Sequence, residues 1–192
     1  MNEQELTSHL IDTLQEDFDI RREVKGYNLL TRGPIRADVV AHPKPHLVAA
    51  GFVDAHFCIE VKAVPATEAD KRGRAAAWQA LSYRLSEFDF GVPAFALVYP
   101  PFAEFYLRDG DFTWERNGPP IVDIEKMERR AAYRELTNVM QRGNVGWIEV
   151  IEAGIGIEAD IRICFGAGRY WSKRLGISAV KNLGLRLHVG TR

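Results

Sequence analysis

The sequence predicts a mixed α/β fold, and three observations predict it. Apolar residues recur at helical spacing near the N-terminus and in a second segment past residue 70. Between these segments lie three mainly apolar runs of strand length, separated by turn residues. A further apolar run, from Ala94 to Tyr99, follows the second helical segment.

The elements follow in order. In Glu3 to Phe18, the residues Leu6, Leu10, Leu14 and Phe18 form one stripe, which predicts a helix over 3–17. Strands are expected at 19–27 and 35–42, with Gly33-Pro34 turning the first into the second. The connection from His42 to Asp54 carries Pro43, Pro45 and Gly51 and exceeds what a tight hairpin needs; it is expected to approach substrate. A third strand is expected over 55–63. A helix over 71–88 contains Ala75, Ala76, Ala77, Leu81 and Leu85, with Pro65 and Gly91 outside it. A strand at 94–99 completes the first hundred residues. Beyond Pro100-Pro101 come short strands around Phe105 and Phe112, then a helix from Asp123 to about Arg142 with Leu136, Val139 and Met140 on its apolar face. Strands from Trp147 to Ile151, Ile157 to Phe165 and Leu185 to Val189 follow. Residues 1–100 thus form the core, and 101–192 an α+β extension packed on the same body with a basic C-terminal segment.

Composition narrows the classes. At 192 residues the chain is long enough to bury a sizeable core without covalent staples. The only cysteines are Cys58 and Cys164, so there is no disulfide framework, and Cys58 reads as a small apolar filler in a buried strand. No apolar run approaches a membrane span and no signal peptide pattern opens the chain, so a reducing cytoplasm is the expected compartment and no membrane partner is expected. Charge is uneven. Residues 1–20 hold six acids and no Lys or Arg, whereas Asp160 to Arg192 holds seven basic residues against one acid. The basic end, with Lys173 and Arg174, is a candidate phosphate-binding surface, and Tyr170 and Trp171 within it are candidates for base stacking. Lys71, Arg72 and Arg74 form a second basic group at the start of the 71–88 helix.

The chemistry concentrates in Ile59-Glu60-Val61-Lys62. Strand side chains alternate, so Glu60 and Lys62 share one face while Val61 points to the other. Taken alone, a Glu-x-Lys triplet is usually a solvated pair at a strand end. Here an apolar run, Phe57-Cys58-Ile59, leads into the charges, and Asp38 lies within another apolar strand, Ala37-Asp38-Val39-Val40-Ala41. Adjacent strands would bring Asp38 and Glu60 together, and two converging carboxylates make a site for a hard cation such as Mg²⁺ or Mn²⁺. Such an ion lowers the pKa of a bound water and stabilises charge on a phosphate, which is phosphodiester chemistry.

Asp38 followed by Glu60-Val61-Lys62 on the next strand resembles the PD-(D/E)xK nuclease superfamily. The usual Pro before the Asp is replaced by Ala37. Gln79-Ala80-Leu81-Ser82-Tyr83 resembles the Gln-x-x-x-Tyr signature of its RecB-like members, with both residues on one helix face. The resemblance implies a restriction-endonuclease-like αβββαβ core. It implies that Asp38, Glu60 and the Val61 carbonyl hold the metal, that Lys62 orients or deprotonates the attacking water, and that Gln79 positions the site. It also implies an acidic residue, or a His, from the first helix: Glu5 is the choice, with His9 and Glu16 as alternatives and Glu23 on the following strand as a further candidate.

Weaker patterns read as structure. His42, His46 and His56 lack zinc spacing and a Cys pair, and Gly154-Ile155-Gly156 and Gly166-Ala167-Gly168 read as turns. The expected function is a Mg²⁺- or Mn²⁺-dependent nuclease acting on DNA more readily than RNA, with Arg72, Arg74, Tyr83, Lys173 and Arg174 as nucleic-acid contacts. Alternatives are a non-catalytic nucleic-acid-binding or assembly module that keeps the fold, and a homodimeric restriction or junction-resolving endonuclease.

Overall fold

The computed structural model describes residues 2–63, 69–101, 135–151, 160–165 and 170–173. The elements are α1 (Glu3–Leu14), β1 (Phe18–Asn28), β2 (Gly33–Pro43), α2 (Pro45–Ala49), β3 (Phe57–Val61), α3 (Ala69–Tyr83), β4 (Ser86–Phe88) and β5 (Ala96–Tyr99). A helical segment at 135–142, here α4, precedes β6 (Val145–Ile151), β7 (Asp160–Cys164) and β8 (Tyr170–Ser172). The expected strands near Phe105, Phe112 and Leu185 to Val189, and the first part of the helix from Asp123, lie outside the described residues.

The described strands form one mixed sheet in the order β4-β1-β2-β3-β5-β6-β7-β8. The first three run antiparallel, β3 pairs with β5 and β5 with β6 in parallel, and β6 to β8 are antiparallel again. A parallel neighbour needs a crossover, which α3 supplies between β3 and β5. Register Ala96↔Val145 joins the two halves of the chain in one sheet.

Each face of the sheet is covered by helices. On one, Leu10 and Leu14 of α1 and Leu47 of α2 pack with Phe18, Val39, Ala41, Phe57, Ile59 and Trp171. On the other, Ala76, Ala77, Ala80 and Tyr83 of α3, with Leu136 and Met140, cover Val40, Cys58, Ala96 and Val98. Burying Leu10 and Leu14 contributes about 1.5–3 kcal/mol each, more than the intrinsic stability of a 12-residue helix.

Three expectations are corrected by local chemistry. The hairpin turn precedes Gly33-Pro34, because Asn28 Oδ1 accepts from the backbone N–H of Leu30 and Thr31 at 3.0 and 2.9 Å, and Pro34 already pairs with Tyr27. The long connection after His42 folds into α2 and seals the core through Leu47 and Phe52. It sits at the start of β3, the end opposite Glu60. The second helix ends at Tyr83, and Ser86–Phe88 becomes a strand against β1. There the Phe88 ring occupies the space a side chain at Gly26 would fill, 2.6 Å from an ideal Cβ.

Candidate active site

Two strands part at the site. The ladder between β2 and β3 stops at Val39↔Ile59, and one residue on, Asp38 Oδ2 accepts the Val61 N–H at 2.9 Å. A carboxylate thus stands where a ladder carbonyl would. The divergence has a counterpart in the β1–β2 hairpin. Ile20, Val39 and Ala41 face the α1 core, whereas Val24 and Ala37 face the α3 core. Both strands exchange faces at Glu23 and Asp38, between the flanking pairs Arg22↔Val39 and Val24↔Ala37. Glu23 makes the exchange with φ of 50°, a left-handed conformation unusual outside glycine.

Glu60 lies fully buried on the α3 face. Its Oε2 accepts from the Tyr83 hydroxyl at 2.5 Å, and that hydroxyl lies 3.1 Å from both Gln79 Nε2 and the Arg36 carbonyl oxygen. Its Oε1 accepts no hydrogen bond among the described residues, and Lys62 Nζ stands 3.8 Å away. Burial, then the neighbouring Asp38 charge, push the Glu60 pKa up to about 8, against a smaller pull from Tyr83 and Lys62. Near neutral pH the Glu60 carboxyl therefore retains its proton. Burial and the same two carboxylates raise the Tyr83 pKa, so its hydroxyl stays a donor.

Lys62 also lies 3.3 Å from Glu3 Oε1 on α1, so its amine spans both faces at the sheet's end. Beside it opens a cleft of about 380 Å³ lined by Glu3, Gln4, Thr7, Arg22, Glu23, Arg36, Asp38 and Val61. No family model, curated protein or solved structure matches this chain. The site therefore rests on its own geometry. Among the described residues no group of three or more His, Cys, Asp or Glu stands at metal-binding separation. The pair itself, with a buried acceptor lacking a donor beside a second carboxylate, is an arrangement that a cation relieves.

The expected residues divide. Asp38, Glu60, Val61, Lys62, Gln79 and Tyr83 come together. Tyr83 does so from the core side: fully buried, its ring is closed to stacking, and its hydroxyl serves Glu60, which corrects its assignment as a nucleic-acid contact. Glu5 is placed elsewhere, accepting the Asn2 N–H at 2.8 Å while Asn2 Oδ1 accepts the Glu5 N–H at 2.9 Å. Glu3 lines the cleft instead. The signal was Asn2-x-x-Glu5, a capping-box spacing that commits Glu5 to the helix start. Glu16 pairs with Lys173 at 2.8 Å, and Lys173 also meets Asp17 at 2.8 Å, so both are tied up at the far end of α1. Trp171 is buried against Phe18. Arg74 is exposed on α3, and Arg174 and the side chains of Lys71 and Arg72 lie outside the description. His42, expected in a loop, stands in β2 and pairs with Asp54 at 3.1 Å, whereas His56 is a loop residue stacked on Phe90. No described helix is long and apolar enough to cross a membrane.

Proposed function

We propose that this chain is a divalent-metal-dependent nuclease of the PD-(D/E)xK type, hydrolysing DNA phosphodiester bonds. The observation that carries the reading is the fork of β2 and β3, where Asp38, the buried Glu60 and the Lys62 amine converge beside an open cleft. The antiparallel meander followed by a parallel strand, with α1 and α3 on opposite faces, supports the same reading. Asp38 and Glu60 would hold Mg²⁺ or Mn²⁺, with Val61 beside them. The ion supplies charge neutralisation at the phosphate and a more acidic water.

The remaining work falls to the chain's own groups. Val61 N–H fixes Asp38, and Tyr83, itself held by Gln79, fixes Glu60. Both carboxylates thus keep their position when a proton leaves. Lys62, partly exposed, orients the water that attacks phosphorus and offsets charge on the phosphate as the P–O ester bond breaks.

The test is cleavage of circular single-stranded DNA, plasmid and linear duplex with Mg²⁺ or Mn²⁺, beside Lys62→Ala. Cutting that Lys62→Ala loses by about 10²-fold or more, with metal still bound, is expected. Full activity in Lys62→Ala would sink the assignment. No cutting and no metal binding beyond that of Asp38→Ala would point to a non-catalytic nucleic-acid-binding module. Cuts at fixed positions by a homodimer would mark the restriction or junction-resolving variant.

A further inference from the structure

The carboxylates and the lysine leave one wall of the cleft unused. That wall belongs to β1 and β2, which bring Arg22 and Arg36 to the same opening as Asp38. Arg22 is exposed and forms no ion pair among the described residues. Among the described residues Arg36 has one ion-pair partner, Glu23 Oε1 at 3.4 Å, and both side chains are more than half exposed at 58% and 65%. An exposed pair at that distance contributes under about 1 kcal/mol, so a phosphate that accepts from both guanidiniums would displace Glu23. The left-handed backbone at Glu23 is the second sign. A strained residue within a strand costs on the order of 1–3 kcal/mol, and here it carries a carboxylate to the cleft, beside Arg36.

The geometry points to Arg22 and Arg36 as a clamp for a backbone phosphate of the substrate, with Glu23 as the internal competitor that the phosphate replaces. This rests on the nuclease reading. A guanidinium presents a planar fork of donors that matches phosphate oxygens, which an ammonium does not. A cleft of about 380 Å³ falls within the range of small-ligand sites and has room for a phosphate and its sugar. Asp38 and Glu3 also line it, so phosphate entry requires a divalent cation at the carboxylates to offset their repulsion. Arg22 and Arg36 then act in binding and positioning the strand rather than in the chemistry.

The experiment is fluorescence anisotropy of a labelled single-stranded oligonucleotide in Ca²⁺, at several salt concentrations, with wild type, Arg22→Ala, Arg36→Ala, Arg36→Lys and Glu23→Gln. Each alanine variant is expected to weaken binding on the order of tenfold and to flatten the slope of log affinity on log salt by up to about 0.7. Arg36→Lys should fall between alanine and wild type. Glu23→Gln, which removes the competitor, should bind several-fold tighter, and it keeps the test decisive if an arginine variant unfolds. Wild-type affinity and slope in both alanine variants, or no gain in Glu23→Gln, overturns the clamp while Lys62-dependent cleavage stands. A wild-type protein that neither binds nor cuts overturns the nuclease reading itself.

Discussion

The decisive residue is Glu60, and its behaviour is set by Tyr83. This fully buried carboxylate, with one oxygen that accepts no hydrogen bond among the described residues, accepts a short hydrogen bond from that phenol on the other. Tyr83→Phe keeps the ring in its packing place and deletes the donor. The metal-free protein is expected to lose about 1–3 kcal/mol, readable by urea unfolding. Because the Tyr83 bond lowers the Glu60 pKa, its loss should also weaken Mn²⁺ binding near neutral pH. Unchanged stability and unchanged metal affinity would remove Tyr83 from the site. Glu5 makes the opposite case. Glu5→Ala breaks the capping box, so a loss of about 0.5–2 kcal/mol is expected with cleavage retained; loss of cleavage in a folded Glu5→Ala protein would return it to the site.

At the scale of elements, the β1–β2 hairpin is the part that carries both the face exchange and the clamp, and β4 holds its outer edge. Gly26 makes that pairing close. A Cβ there would meet the Phe88 ring at 2.6 Å and the Glu87 carbonyl oxygen at 2.8 Å, so Gly26→Val is expected to destabilise the protein by about 1–3 kcal/mol. Hydrogen exchange should show the loss first at Ser86–Phe88, and protection equal to wild type there would contradict the packing. This edge also marks where sequence reading stops. The long elements were legible because their periods are: leucines at four-residue spacing for α1, and alternating or apolar runs for β1 to β3. Asp38, Glu60 and Lys62 were legible because charges inside apolar strand runs need a partner. β4 was not, since three residues carry no period and Gly26, sixty positions away, decides their conformation. Nor was α2, a single short turn of helix whose burial depends on Leu47 reaching the core. Tyr83 was legible as a motif residue, but its burial depends on how α3 docks.

For the whole molecule, the Glu60 carboxyl links folding to protons and, on the proposed function, to metal. The Glu60 pKa stands at about 8 in the fold against 4.5 for an ordinary glutamate, so between these values the folded chain holds a proton that the unfolded chain has released. The Glu60 contribution to stability is fully present below about pH 4.5 and is lost as pH rises through about 8. A divalent cation held there, as the proposed function requires, would reverse that trend. It would replace the proton, so its affinity would rise over the same window, and binding to the folded state alone would stabilise in proportion to the logarithm of one plus the ratio of free cation to its dissociation constant. In metal-free protein the thermal midpoint is therefore expected to fall from about pH 6 to about pH 9, and Mn²⁺ should raise the midpoint more at the higher pH. Glu60→Gln removes the titrating proton and one proposed ligand together, so both dependences should flatten in that variant. A Glu60→Gln protein whose midpoint still follows the wild-type pH curve, with the same rise in Mn²⁺, would show that proton and metal meet at some other group.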